Sequence, residues 1–245
     1  YYADKARMFA GAGPAAIWIS NLDDGESRRM VAGVPGRHLS FSLVARADGW
    51  YSRADGKLML GDRVLIARDD FPLLGDHNVA NALAAALAVH ATGVPVDAMA
   101  DALRSFTALP HRMEPVGTAH GIMFINDSKA TNVASTRVAI DALDQPFVLL
   151  LGGRHKGEPY TSLASGLGNA VAVIAYGESA GIVESDLGGL VRVIRLQGFE
   201  EAVRRAAEEA PSGGVVLLSP ACSSYDQFRN FGQRGQEFAR IVSTL

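Results

Sequence analysis

The spacing of apolar residues changes near the middle of the chain, and the change predicts two kinds of architecture. Up to about residue 67 the apolar runs are short and broken by polar positions: Ala16 to Ser20, Leu39 to Val44, Gly49 to Arg53, Leu58 to Leu60 and Val64 to Ala67. Such short alternating runs bounded by turn residues mark half-buried strands. Asp55-Gly56, between two of them, is a hairpin signal. This block is expected to form a small, partly antiparallel sheet, preceded by a helix over residues 1–11 that stops at Gly11 and Gly13-Pro14. A long helix is predicted from Asp76, read as its cap, to about Thr92, ended by Gly93 and Pro95. Ala82, Leu83, Ala86, Leu87 and Ala88 give it a broad buried stripe. A second helix, Val96 to Phe106, ends before Leu109-Pro110, where a domain boundary is expected near residue 108.

Beyond that point strands and helices alternate. Strands are predicted at 121–125, 147–151, 171–176, 191–194 and 215–218, and helices at about 133–143, 160–168, 179–186, 199–209 and 228–243. Strands alternating with helices of this length imply right-handed βαβ units, hence an α/β fold with an open, mainly parallel sheet.

Composition narrows the function classes. The 245 residues are 48% hydrophobic and 20% charged, with a net charge of −3. That balance gives no electrostatic footprint for nucleic acid or an anionic membrane. No apolar run is long enough to span a bilayer; the best, Ala80 to Val89, contains Asn81 and meets His90. The single cysteine, Cys222, excludes an intrachain disulfide framework and fits a reducing compartment such as the cytoplasm. The chain opens on Tyr1 within a helical pattern rather than on Met, so it is expected to be part of a longer protein.

Two polar clusters follow strand-like runs directly. The first is Ile125-Asn126-Asp127-Ser128-Lys129-Ala130-Thr131-Asn132, and the second runs from Ser219 to Phe228. In an open α/β sheet, loops at the carboxyl ends of strands converge on one crevice. Thr131 or Asn132 is expected to cap the helix starting at Val133, but capping does not account for Asp127 and Lys129 in the same turn. A carboxylate and an ammonium there suit sugar hydroxyls and a phosphate or carboxylate. The Leu151-Gly152-Gly153-Arg154-His155-Lys156-Gly157 segment lets backbone approach a ligand, yet it is neither a P-loop nor G-x-G-x-x-G. Around Ser219 neither a G-x-S-x-G elbow nor an evident base is present, and Cys222 reads as a buried structural thiol. Hydroxyls and turn N–H groups suit a carboxylate better than covalent catalysis. Asn78 and Asn81 share one helix face, where they either serve the cap region or read a base edge. The six histidines have no metal-ligand spacing.

These residues, taken together, resemble the Mur ligases. The matching segments are Tyr1-x-x-x-Lys5, Gly75-Asp76-His77-Asn78-x-x-Asn81, Leu109-Pro110-His111-Arg112, the Asp127–Asn132 cluster, Leu150-Leu151-Gly152-Gly153 with Lys156, and Ser219–Phe228 with Phe231. They span nearly the whole chain in the family's order. The Asp-Ser-Lys-Ala-Thr-Asn and Ser-Pro-Ala-Cys motifs are similar to those of its D-glutamate-adding branch.

The resemblance implies the tail of a central ATPase domain over 1–108 and a Rossmann-like carboxy-terminal domain over 109–245. It implies adenine contacts from Asn78 and Asn81, ribose contacts from Arg112 and Asp127, and Lys129 near the phosphates and the reacting centre. Thr131, Lys156, Ser224 and the backbone around Tyr225 and Phe231 would hold the D-glutamate carboxylates. Lys5, by itself only a helix-surface lysine, matches a lysine that the family carries as a carbamate ligand to magnesium. The implied enzyme is a monomer that uses ATP and Mg2+ to join D-glutamate to UDP-N-acetylmuramoyl-L-alanine in peptidoglycan synthesis. Another Mur or folylpolyglutamate-type ligase, or a non-catalytic nucleotide-binding module, is the competing reading. The family's P-loop and its UDP-binding domain have no counterpart here, so this polypeptide alone is expected not to turn over ATP. Ligation detected with the purified 245-residue chain would overturn that expectation.

Overall fold

A computed structural model of the chain describes residues 2–107 and 109–245. Two compact units divide it, Tyr1–Thr107 and Ala108–Leu245. Tyr1, which opens the first matched motif, and Ala108, at the expected boundary, lie outside the described residues.

In the first unit, β1 (Ile17–Asn21), β2 (Arg37–Ser42), β3 (Gly49–Ser52), β4 (Lys57–Leu60) and β5 (Arg63–Ala67) form one sheet in sequence order. The β1/β2 and β2/β3 pairs are parallel, and β3/β4 and β4/β5 are antiparallel. The Asp55-Gly56 signal holds: Ser52 pairs with Lys57 across the turn, and Gly56 has φ 61°. The single helix expected over residues 1–11 is instead α1 (Tyr2–Ala6) followed by a 3-10 turn, Arg7–Gly11. The helix α2 (Gly25–Val31) had no sequence signature, because none of its residues is buried and no apolar stripe forms. Asp24 caps it by accepting from the Glu26 and Ser27 amides.

The long helix α3 (Asp76–His90) buries Val79, Ala82, Leu83, Ala86 and Leu87 against the sheet. Its expected cap is corrected: Gly75 is the N-cap residue, at φ 81°, and no side chain caps the end. Asp76 is already helical and pairs with Arg53. A carboxylate in the first turn still meets the helix dipole favourably. After it comes α4 (Val96–Ser105).

The second unit has a six-stranded sheet of β6 (Glu114–Ala119), β7 (Ile122–Asn126), β8 (Phe147–Gly152), β9 (Ala170–Tyr176), β10 (Val193–Leu196) and β11 (Val215–Leu218). Their order is β10-β9-β8-β11-β7-β6, parallel at every junction but β6/β7. The mainly parallel α/β sheet expected from the alternation is therefore present. The strand expected at 191–194 lies two residues later. β6 was missed because Pro115 and Gly117 break its pattern; it is an antiparallel edge with a register shift between those residues, the position where proline is tolerated.

The helices are α5 (Val133–Ile140), α6 (Ala180–Leu187), α7 (Phe199–Glu209) and α8 (Phe231–Val242), and the segment expected as a helix at 160–168 is a 3-10 stretch, Tyr160–Asn169. α5 and α6 pack on that stretch, whereas α7 and α8 pack on each other. Phe124, Val148, Leu150, Ile174, Val216 and Leu218 face α7 and α8, burying Val203, Ala206, Phe238 and Ile241. Both sheet faces are covered, so β8 and β11 are buried at every position. β7 and β8 feed α5 and the 3-10 stretch on one face, while β11 between them feeds α8 on the other. Such divergence marks the carboxyl ends of these strands as the edge where open α/β sheets take ligands.

Gly152 ends β8 at φ 153°, where a Cβ would overlap the Tyr176 carbonyl oxygen on β9. Gly152→Ala is expected to lower the unfolding free energy by about 2 kcal/mol or more. Urea denaturation of the two proteins measures it; equal midpoints and slopes would contradict the packing described.

Candidate functional site

That edge is built by loops rather than by a single element. After β7, Asp127 and Ser128 are buried and Lys129 is exposed. After β11, Ser219 and Ser224 are buried while Tyr225 is 62% exposed. The β8 loop carries Arg154, His155 and Lys156, with Lys156 exposed. Asn132, not Thr131, caps α5 by accepting from Ser135 N at 2.8 Å. Glu158 adds a carboxylate to that helix end, accepting from Val133 N at 3.0 Å.

Arg234, in the first turns of α8, joins the loops. It is fully buried. Its Nε donates to Ser128 Oγ (2.9 Å), one terminal nitrogen donates to Ser128 O (2.9 Å) and Cys222 O (3.2 Å), and the other donates to Cys222 O at 3.2 Å. Ser128 Oγ in turn donates to Phe231 O at 2.8 Å. The fixed guanidinium fork therefore sets the spacing between the residues just before Lys129 and Ser224. Lys129 is aimed by the same helix, with Nζ 4.0 Å from the Phe231 ring centroid, a cation–π contact. Its backbone N donates to His111 O at 3.0 Å.

His111 is a second junction. Its N–H donates to Glu114 Oε2 (2.8 Å), and its Nδ1 lies 2.9 Å from Asn126 Nδ2. Asn126 also donates to Glu114 Oε2 and to Gly235 O. The sequence singled out Arg112 beside it; Arg112 is exposed and its charge reaches Asp127.

Asp127 accepts from Ser219 Oγ at 2.8 Å and from Met113 N at 3.3 Å. Burial pushes its carboxyl up to about 6, against the opposing pull of Ser219, the Met113 amide and Arg112. Thr136 donates to Ser219 O at 3.1 Å, closing the contact between α5 and the β11 loop. Cys222 is buried as expected, sharing a 2.7 Å hydrogen bond with Tyr160 OH, and burial raises its thiol pKa. It is no ready nucleophile.

Asp127, Lys129, Thr131, Ser224 and Phe231 thus sit on loops and a helix start tied together by Arg234, Asn126 and Ser219. Arg234 lies outside the motifs read from the sequence, and Asn126, Ser128 and His111 lie inside them with no role of their own. A buried arginine at helical spacing from Phe231 leaves no trace in a hydropathy pattern. Lys5, Asn78 and Asn81 belong to the first unit. Lys5 is exposed on α1. Asn78 donates to Leu74 O at 2.7 Å, and Asn81 Nδ2 stands 3.5 Å from Asn78 Oδ1, so the two amides do share a face. Asn78 serves the helix start with its own amide, while Asn81 is exposed. Among the described residues, no three His, Cys, Asp or Glu side chains come together as a metal-ligand group.

Because the Asp127 pKa is raised on folding, its contribution to stability is complete below about pH 4 and is lost as pH rises through about 6. The wild type should lose on the order of 3 kcal/mol more than Asp127→Asn between pH 4 and pH 7. Denaturant titrations of both proteins at the two pH values check this; parallel losses would show that Asp127 is not penalised by burial.

Two sequence models of one family match the chain: the Mur ligase middle domain over residues 1–89, and the Mur ligase glutamate ligase domain over residues 111–222. The curated UDP-N-acetylmuramoylalanine--D-glutamate ligase of Salinibacter ruber is 37% identical over 257 residues, covering 100% of this chain and 55% of that protein. The protein of the same name from Nitrosospira multiformis is 39% identical, with 100% and 53% covered. The chain thus spans about half the length of the curated relatives it matches. Among solved structures, a pseudomurein peptide ligase type C from Methanothermus fervidus aligns with a TM-score of 0.72 at 16% identity, over 99% of this chain and 59% of that one. MurF from Thermotoga maritima in complex with ADP aligns at 0.65 and 18%, over 94% and 55%. The structural likenesses show the fold, and the sequence matches show the lineage: this chain belongs to the Mur ligase family.

Proposed function

We propose that this chain supplies the nucleotide- and amino-acid-binding portions of a ligase that joins D-glutamate to UDP-N-acetylmuramoyl-L-alanine with hydrolysis of ATP. The observation that carries this reading is the cluster of loops after β7, β8 and β11. There Lys129 and Lys156 provide cationic groups, and Thr131 and Ser224 provide hydroxyls, on loops braced from behind by Arg234. The curated relatives named for that reaction, matched along the whole chain, support the choice of amino acid.

In the proposed reaction, a carboxylate oxygen of the alanyl group attacks the γ-phosphorus of ATP. The bond to the bridging oxygen breaks, leaving ADP and an acyl phosphate. The D-glutamate amine then adds to the acyl carbon, and the tetrahedral intermediate collapses with loss of inorganic phosphate and the amine proton. Every participant except the amine is anionic. Catalysis by these residues is positioning and charge neutralisation. Lys129, steered by the Phe231 ring, stabilises charge on the transferring phosphoryl group and on the tetrahedral oxygen.

Thr131, Lys156, Ser224 and the backbone at Tyr225 and Phe231 hold the two carboxylates of D-glutamate. Arg112 and Asp127 serve the ribose. Asp127, 8% exposed and already engaged by Ser219 and Met113, sets its loop as much as it touches a ligand. In the first unit, Asn78 and Asn81 read the adenine edge, and Lys5 is the family's carbamate position, a role to be tested independently of catalysis by Lys129. Substrates of this kind, a UDP-linked sugar and ATP, place the reaction in the cytoplasm. Of the described helices, none is long and apolar enough to cross a membrane.

The test is ADP release by the full-length protein with UDP-N-acetylmuramoyl-L-alanine, comparing D-glutamate with L-glutamate, meso-diaminopimelate and L-lysine. Release should require D-glutamate, and Lys129→Ala should lower kcat by about 100-fold or more. Release with a different amino acid would move the protein to another branch of the family, and no release with any would leave a nucleotide-binding scaffold.

A further inference from the structure

Asp226 and Gln227 lie inside the polar segment after β11, among residues read from sequence as a ligand motif. Their side chains bond instead to the starts of neighbouring helices. Gln227 Oε1 accepts from Phe199 N at 3.2 Å, and Gln227 Nε2 donates to Gln197 O at 2.9 Å. Phe199 is the first residue of α7, whose N-cap position, Gly198, provides no side-chain cap. One amide thus satisfies an open helix N–H and grips the carbonyl two residues earlier. Only a side chain holding both a donor and an acceptor does this. Asp226 Oδ2 accepts from Glu178 N at 3.3 Å, in the 3-10 turn Gly177–Ser179 that leads into α6.

The backbone of the same turn converges on Ser224. Gln227 N and Phe228 N both donate to Ser224 O, at 3.2 and 2.8 Å. On its other side, Arg154 N donates to Ser223 O at 2.9 Å and Ser223 Oγ donates to Arg154 O at 3.1 Å. The segment carrying Ser224 and Tyr225 is therefore pinned to the loops after β8, β9 and β10. The pin to β10 is the Gln227 amide.

We propose that Gln227 is a positioning residue for the amino-acid subsite: by locking the β11 loop to the start of α7, it fixes Ser224 and Tyr225 where the incoming amino acid is held. This rests on the ligase reading above for the identity of the ligand, and on the hydrogen bonds alone for the positioning. Asp226 performs the lesser part of the same task toward the 3-10 turn.

Two variants separate the contributions. Gln227→Ala removes both bonds, and Gln227→Glu keeps an acceptor for Phe199 N while placing a carboxylate against Gln197 O. In the full-length protein, both should raise KM for D-glutamate by about 10-fold or more while KM for ATP and kcat stay within about 2-fold, as misplacement of one subsite demands. An unchanged KM for D-glutamate would overturn the inference. So would a fall in kcat that tracks a lowered melting temperature with both KM values changed alike, since that reports general stability. A second arm needs no substrate. In the ligand-free protein, amides 222–226 should exchange hydrogen about 10-fold faster in Gln227→Ala than in wild type. Unchanged exchange overturns the positioning role whichever amino acid the wild type uses. A wild type that ignores D-glutamate would reject the ligase reading, with the exchange arm still deciding the fate of Gln227.

Discussion

The site depends on one buried cation. Arg234 is fully removed from solvent, and its four hydrogen bonds go to a hydroxyl and two carbonyls of loops that are remote in sequence. A guanidinium out of water is costly unless every donor direction finds an acceptor. Here the acceptors lie on the loop after β7 and the loop after β11, so the arginine is satisfied only when both loops take one particular spacing. That requirement converts two connections at a sheet edge into a single rigid surface. It also places a buried positive charge in contact with Ser128, the residue before Lys129.

Around this constraint, the remaining polar groups act on shared terms. Asn126 closes the end of β7 onto β6 and α8 through His111, Glu114 and Gly235. Ser219 links Asp127 to the β11 loop, and Thr136 returns the contact from α5. Each of these side chains connects elements whose strands are adjacent in the sheet. The groups left facing outward, Lys129, Lys156 and Tyr225, are exposed, and the charges and hydroxyls that hold the loops are buried.

Much of this was legible beforehand, for identifiable reasons. β8 and β11 read as strands because burial on both faces makes them continuously apolar. α3 read as a helix because Ala82, Leu83, Ala86 and Leu87 repeat at helical spacing; Ala88, expected in the same stripe, is exposed, and Val79 one turn earlier is buried instead. The Asp127–Asn132 and Ser219–Phe228 clusters stood out because polar groups directly after buried strands need an explanation. α2 escaped because it buries nothing, and β6 because Pro115 and Gly117 disguise an edge. The Asp76 cap was assigned one residue late, since a glycine's positive φ is invisible in composition.

Sequence by itself determined the alternation of strands and helices, the two polar loops and the family resemblance they carry, because periodicity and short motifs are local properties. Tertiary structure alone decided which residues hold those loops. Arg234 meets Ser128 across 106 positions and Cys222 across 12, and Gln227 meets Phe199 across 28. Such pairs depend on strand order, on β11 being placed between β7 and β8, and no local pattern of charge or hydropathy encodes that order.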